Sequence, residues 1–351
     1  MLRLSCALVA SALLPGLGFA QGNQVVVNPN GPYKVLQTVK VGGDGGFDYV
    51  TADSAARRLY VARSGPSGSL HVYDLDTLAQ VGEIPNVSAH GAVVDEKYQR
   101  GFATSKPVVM FDAKTLAVIK TLDVQGNPDG YVGDAVEHRV YILSHAAPNV
   151  TVLDAADGAV LGTIDVGGAP EQGALDGHGH LFIDVEDKGA IAVVDTKTMK
   201  LTATYDLAGQ GGGAGCAGLA YDSAKKLLFA ACRDKKSMIV VNPENGRILG
   251  TLPNGAGTDG VVYNAKTGEV FSSQGDGTLT IFKAKSATEF GLVQTVLTPV
   301  RAKTLTLDEK TGHILLITAE FGPAPAGADA NGRPARPPMV PGTFEIVVVG
   351  K

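Results

Sequence analysis

The sequence predicts an all-β fold, a seven-bladed β-propeller with four-stranded blades, and three observations predict it. The composition is that of short strands and tight turns: 45 glycines, few aromatics, no tryptophan, many β-branched residues and no long stretch of 3.6-residue periodicity. Apolar strands ending in Asp or Asn recur at a spacing of about 40 residues, the length of one propeller blade. The last repeat lacks a strand, and VLQTVKVGG (35–43), near the beginning, nearly matches VLGTIDVGG (160–168), the end of an internal unit.

In chain order, residues 1–20 read as an export leader. Arg3 supplies a positive charge, Leu4 to Leu14 is apolar apart from Ser5, Cys6 and Ser11, and Pro15-Gly16 breaks the helix. Gly18-Phe19-Ala20 then places small residues where a signal peptidase reads. The apolar run is too short to span a bilayer. The mature chain is expected to start at Gln21, to form a single propeller domain over 21–351 without a transmembrane segment, and to be periplasmic or secreted. Without Arg3 it carries 29 basic and 35 acidic residues, a net charge of −6. That mild acidity argues against a surface built for phosphate.

The repeat is clearest in the third strand of each unit: HVYDLDTL, VMFDAKTL, TVLDAADG, AVVDTKTM and IVVNPENG, anchored at Asp74, Asp112, Asp154, Asp195 and Asn242, which are 38, 42, 41 and 47 residues apart. TIFKAKSA is a weaker copy with Lys283 at the anchor. Short Asp and Asn side chains accept hydrogen bonds from turn N–H groups, so these anchors read as structural. A second strand precedes each anchor, as in RLYVA (58–62), RVYIL (139–143) and LLFAA (227–231). A first strand comes before that, with Asp53, Asp95, Asp134, Asp176, Asp222, Asn264 and Asp308 near its end. A fourth follows, as in AVIKTLDV (117–124).

The last unit has KTLTLD (303–308), HILLIT (313–318) and FEIVVVG (344–350) but no fourth strand. KVLQTVKV (34–41) is expected to supply it, which closes the ring and protects a sheet edge. The units GAIAVVDTKTMKLTATYDL (189–207) and NVTVLDAADGAVLGTIDVGGAPEQG (149–173) resemble the YncE-type, or YVTN-repeat, seven-bladed propellers of bacterial periplasm and cell surface. The resemblance covers nearly all of the mature chain and implies export and a binding surface; it implies no reaction, because propellers host unrelated functions.

In a propeller the innermost strands line a central channel, and the loops leading into them open on one face with the loops that join second and third strands. A glycine recurs at the start of the inner strands, as Gly91, Gly130, Gly173, Gly218 and Gly260. Either crowding at the axis or a positive φ calls for it. The residue before that position is Asp48, His90, Asp129, Gln172, Ala217, Asp259 or Lys303, with Glu171 and Cys216 one place earlier and Arg301 near Lys303. Asp48, His90, Asp129, Glu171, Asp259 and Lys303 are therefore expected to converge on one mouth. Asp48, Asp129, Glu171 and Asp259 are candidate ligands for a divalent cation; the alternative is a polar ring that solvates a wet channel.

His145, on a loop of the same face, and His90 are the candidate acid or base. The segment 319–342 is 24 residues long, with six prolines and with Arg333 and Arg336. It is expected to act as a lid or partner-binding strap across the mouth.

Other signals carry less. DGHGH (176–180) resembles a metal motif but falls in a tight turn on the opposite face. Cys216 and Cys232, the only cysteines of the mature chain, flank a hairpin and are placed to bridge, if the cross-strand geometry permits. No CxxCH haem motif is present, and GQGGGAG (209–215) lacks the lysine and helix of a phosphate cradle. An acidic chain without tryptophan lacks the basic, aromatic groove of a single-strand nucleic-acid binder. The sequence thus leads to an exported propeller that binds a small ligand or a periplasmic protein at a lidded mouth, without catalysis. The alternative is a metal-assisted, lactonase-like hydrolase or lyase at the same mouth.

Overall fold

The first strand of each blade, and the third strand of blades one to five, ends at or beside an Asp or Asn that opens the following turn. Asp134 Oδ1 accepts hydrogen bonds from the N–H groups of Val136 and Glu137 at 2.9 and 3.0 Å. Asp74 Oδ1 accepts from the N–H groups of Asp76 and Thr77 and from the Thr77 hydroxyl. Asp112 repeats the second pattern. At the weak copy Lys283 cannot accept, and the turn is held instead by Ser286 Oγ, which accepts from the N–H groups of Thr288 and Glu289.

The computed structural model describes residues 26–147, 149–327 and 337–351. Among them the strands form seven antiparallel four-stranded sheets. Blade one is Gly46–Asp53, Arg58–Ser64, Ser69–Asp74 and Gln80–Pro85. Blades two to six follow in order over residues 92–122, 128–164, 170–206, 216–253 and 258–297. Blade seven takes Thr304–Asp308, His313–Thr318 and Glu345–Gly350 from the end of the chain and Lys34–Lys40 from its start. The last two pair in antiparallel register, with Thr38 opposite Val347 and Val39 opposite Ile346. The expected ring closure is therefore the observed one.

Middle strands are buried on both faces, as Leu227–Cys232 is throughout, whereas the outer strand Lys34–Lys40 is mostly exposed. Blades stack face to face, so each junction has its own hydrophobic core. Tyr60, Val72 and Phe111 join blades one and two, Tyr141, Val152 and Ile183 join three and four, and Phe229, Val240 and Phe282 join five and six. The strand-end acids add a second tie at the junctions. Arg57 of blade one donates to both oxygens of Asp308 in blade seven at 2.7 and 2.9 Å. His138 of blade three pairs with Asp95 of blade two, and Tyr263 of blade six donates to Asp222 of blade five.

The recurrent inner-strand glycines answer to crowding. None of Gly91, Gly130, Gly173, Gly218 and Gly260 has a positive φ. A Cβ at Gly130 would lie 2.6 Å from the Glu171 carbonyl oxygen, and one at Gly218 2.6 Å from Val261 Cγ2, both on the next blade. Cys216 and Cys232 are opposite one another in register, and their sulfurs are bonded.

The described ends of the proline-rich segment extend a small ladder: Phe321 pairs with Met339, Gly322 N–H donates to the Pro338 carbonyl, and Val340 N–H donates to the Glu320 carbonyl. Arg333 and Arg336, like the leader at 1–20, lie outside the described residues. Among the described residues no helix is long and apolar enough to cross a membrane.

Candidate functional site

One end of the channel opens into a cavity of about 740 Å³ lined by Asp48, His90, Asp129, His145, Glu171, Glu186, Asp187, Arg233, Asp259 and Lys303 with Phe47 and small residues. Two sets of loops deliver them. Asp48, His90, Asp129, Glu171, Asp259 and Lys303 lie at or just before the start of an inner strand in blades one, two, three, four, six and seven. His145, Glu186 and Arg233 each follow the last residue of a second strand, in blades three, four and five.

Charges of opposite sign alternate around the mouth. His90 Nδ1 lies 2.9 Å from both Asp48 Oδ2 and Asp129 Oδ1. His145 Nε2 lies 3.1 Å from Asp129 Oδ2 and 2.9 Å from Glu171 Oε2. Arg233 comes next, 3.9 Å from Glu171 and in direct contact with Glu186 and Asp259. Lys303 pairs with the other oxygen of Asp259.

The ring holds both imidazoles in the charged form. The carboxylates of Asp129 and Asp48 raise His90 to about 10 against the opposing effect of burial. Glu171, with Asp129, raises His145 to about 9.

One step along the strands from the mouth, the channel is filled by side chains. Tyr49 and Tyr131 pack edge-on at 5.5 Å, and the Tyr49 hydroxyl donates to the Glu171 carbonyl. Gln172, a break in the charged ring, crosses from blade four: its Oε1 accepts from the N–H groups of Leu219 and Val261, and its Nε2 donates to the Val261 carbonyl. Asp184 is fully buried behind this layer and accepts from Gln172 N–H at 2.5 Å. Desolvation, with a smaller contribution from the nearby charge of Glu171, pushes its carboxyl well above the usual carboxylate range.

A second cavity of about 570 Å³ adjoins the mouth and shares Phe47 and Lys303 with it. Its walls are Phe321, Pro337, Met339 and Pro341 from the described ends of the proline-rich segment, with Asp44 and Arg301 at the edge. Arg301 lies over the Phe321 ring at 4.6 Å, so it belongs to this apolar shelf and not to the ring of charges.

The structure thus brings together Asp48, His90, Asp129, His145, Glu171, Asp259 and Lys303. It separates Asp259 from the other three carboxylates proposed as metal ligands, because Asp259 is bound to Arg233 and Lys303. The histidine-centred groups are Asp48–His90–Asp129 and Asp129–His145–Glu171, each with its ligating atoms within 4.8 Å of one another. Sequence reasoning missed Arg233 and Glu186. In DGHGH, Asp176 caps its own turn by accepting from the N–H groups of His178 and His180.

No family model matches this sequence, and no curated protein does. A chain of the crystal structure of the Mitotic Checkpoint Complex is similar in structure, with a TM-score of 0.69 over 88% of this chain and 96% of that one. The chain is a seven-bladed β-propeller. At 12% identity the likeness extends to the fold alone.

Proposed function

We propose that this propeller is an exported binding protein of the YncE type that captures a small ligand carrying charges of both signs and an apolar arm. The observation that carries the reading is the pairing of two adjoining cavities, one ringed by alternating charges and one walled by Phe47, Phe321, Pro337, Met339 and Pro341. A zwitterionic head can exchange ion pairs with the ring without leaving an unpaired charge, and an apolar arm beside it gains from burial on the shelf. Export is supported by the leader-like residues 1–20 and by a buried disulfide, a bond that persists in oxidising compartments.

The test is thermal unfolding of residues 21–351 with leucine, phenylalanine and their dipeptides as probes. A ligand at 100 times its Kd adds about 2.7 kcal/mol of stability, a clear upward shift in Tm. Arg233→Ala and Phe47→Ala should each reduce that shift. No shift with any probe, or a shift that both variants retain, would defeat the reading.

A second reading, metal-assisted hydrolysis, draws on the two histidine–carboxylate groups. A divalent cation there would polarise a carbonyl or activate water. In that reading His90 and His145 are ligands and not acid and base, because their nitrogens face the carboxylates that would share the ion.

A further inference from the structure

We infer that the mouth holds a carboxylate-bridged pair of divalent first-row cations of the Zn²⁺ type: one on Asp48, His90 and Asp129, the other on Asp129, His145 and Glu171. The inference deepens the reading of the mouth as the binding site and rests on it.

The arrangement of hydrogen bonds points to the cations. His90 Nδ1 carries one proton at most, yet two carboxylate oxygens stand 2.9 Å from it. The geometry of a hydrogen bond is met only toward Asp48. Asp129 is 7% exposed, and its Oδ1 accepts no hydrogen bond from any described residue although it is aimed at the same nitrogen. His145 repeats the pattern: its Nε2 bonds to Glu171, and Asp129 Oδ2 lies 3.1 Å away. Asp129 therefore turns each oxygen toward an imidazole nitrogen that is engaged elsewhere. A buried carboxylate oxygen that faces only a nitrogen whose proton is committed elsewhere is poorly satisfied, and a cation that takes a lone pair from all three groups removes the cost on both sides at once.

Charge and ligand chemistry agree. Six carboxylates, those of Asp48, Asp129, Glu171, Glu186, Asp187 and Asp259, line the cavity with two permanent cations, Arg233 and Lys303, which leaves four negative charges over once the imidazoles give up their protons to bind metal. One histidine and two carboxylates make a nitrogen–oxygen set that suits Zn²⁺ or its neighbours. Three protein ligands leave a position open for water or a ligand group. Bonds of about 2.0–2.2 Å in a tetrahedral site hold ligand atoms roughly 3.3–3.5 Å apart, so the observed spacings of 2.9–3.1 Å need to open only slightly.

The test is calorimetric titration of residues 21–351, stripped with chelator and free of organic ligand, with ZnCl₂. Wild type should take up two equivalents. Asp48→Asn and His145→Gln should each take up one, and Asp129→Asn should weaken both sites by about 100-fold or more. His178→Ala, on the opposite face, should keep both. Circular dichroism and a melting curve on each variant separate lost ligation from lost fold, and the two single-site variants keep the test open if Asp129→Asn does not fold. Uptake of fewer than two equivalents by wild type, or undiminished affinity at both sites in Asp129→Asn, overturns the inference. Because no organic probe is present, failure here leaves the capture of a zwitterion to its own test.

Discussion

Replacing Gln294 by Leu should loosen the clasp that closes the ring. Gln294 lies on the outer strand of blade six, Phe290–Leu297, and is 1% exposed. Its Nε2 donates to the carbonyls of Tyr33 and Asn28 at 2.8 and 3.1 Å, and its Oε1 accepts from Tyr33 N–H at 3.0 Å. Around it Tyr33 donates its hydroxyl to Glu269 at 2.5 Å, and Lys351 reaches the same carboxylate at 3.3 Å, so both termini meet on blade six. Leucine keeps the volume and removes all three bonds. At about 1 kcal/mol for each bond the loss is ~3 kcal/mol, with 1–3 kcal/mol more for each backbone group left buried and unpaired. Peeling of the leading segment into water limits the total to about 2–4 kcal/mol.

Urea unfolding should show that loss. Hydrogen exchange should show faster exchange, by roughly 30- to 700-fold at 1.4 kcal/mol per decade, in strand Lys34–Lys40 and not in blades three and four. A stability loss under 0.5 kcal/mol with unchanged exchange in that strand would refute the clasp.

The Arg57–Asp308 tie makes stability depend on acid. Burial opposes ionisation of Asp308, but the Arg57 guanidinium and the Thr311 and Ser54 hydroxyls outweigh it and hold the carboxyl far below its ordinary value. Its contribution is thus present above the unfolded carboxylate pKa, near 4, and is lost as pH falls below that toward the folded value. Asp308→Asn should flatten the stability profile there, and an unchanged acid limb in urea titrations would contradict the tie. Reduction of Cys216–Cys232, 16 residues apart, should cost about 3 kcal/mol by loop entropy, read as a lower Tm in dithiothreitol; an unmoved Tm counts against the bond. Gly130→Ala sets a Cβ 2.6 Å from a backbone carbonyl of the next blade and should cost about 1–3 kcal/mol in denaturant unfolding. Equal stability would mean that the inner strands have room to spare.

Blade number, strand order and the closing strand were legible because Asp and Asn turn caps punctuate the chain at regular intervals, and the strand that the last unit lacks is matched by an extra one near the start. The first set of mouth residues was legible for the same reason, since the repeat fixes which residue precedes each inner strand. Arg233 and Glu186 escaped because the loops after second strands vary in length and composition. Arg233 reads as part of a surface run with Lys235 and Lys236, yet Lys235 turns away to the Gly211 carbonyl. Aligning the residues that follow Ser144, Val185 and Cys232 would have found His145, Glu186 and Arg233 together. Which carboxylates share a histidine was not legible, because it depends on side-chain directions across blades. Asp259, equivalent by repeat position to Asp129, is drawn to Arg233 and Lys303. Gln172 interrupts the charged ring at its repeat position, and its neutral amide donates and accepts across the axis.

That the mouth holds a pair of cations around Asp129 is tested most directly by anomalous scattering at the zinc edge from crystals grown with Zn²⁺. The account predicts two peaks flanking Asp129, one beside His90 and one beside His145. Zinc found only at the His178 and His180 turn on the opposite face, or no ordered zinc at all, would contradict it.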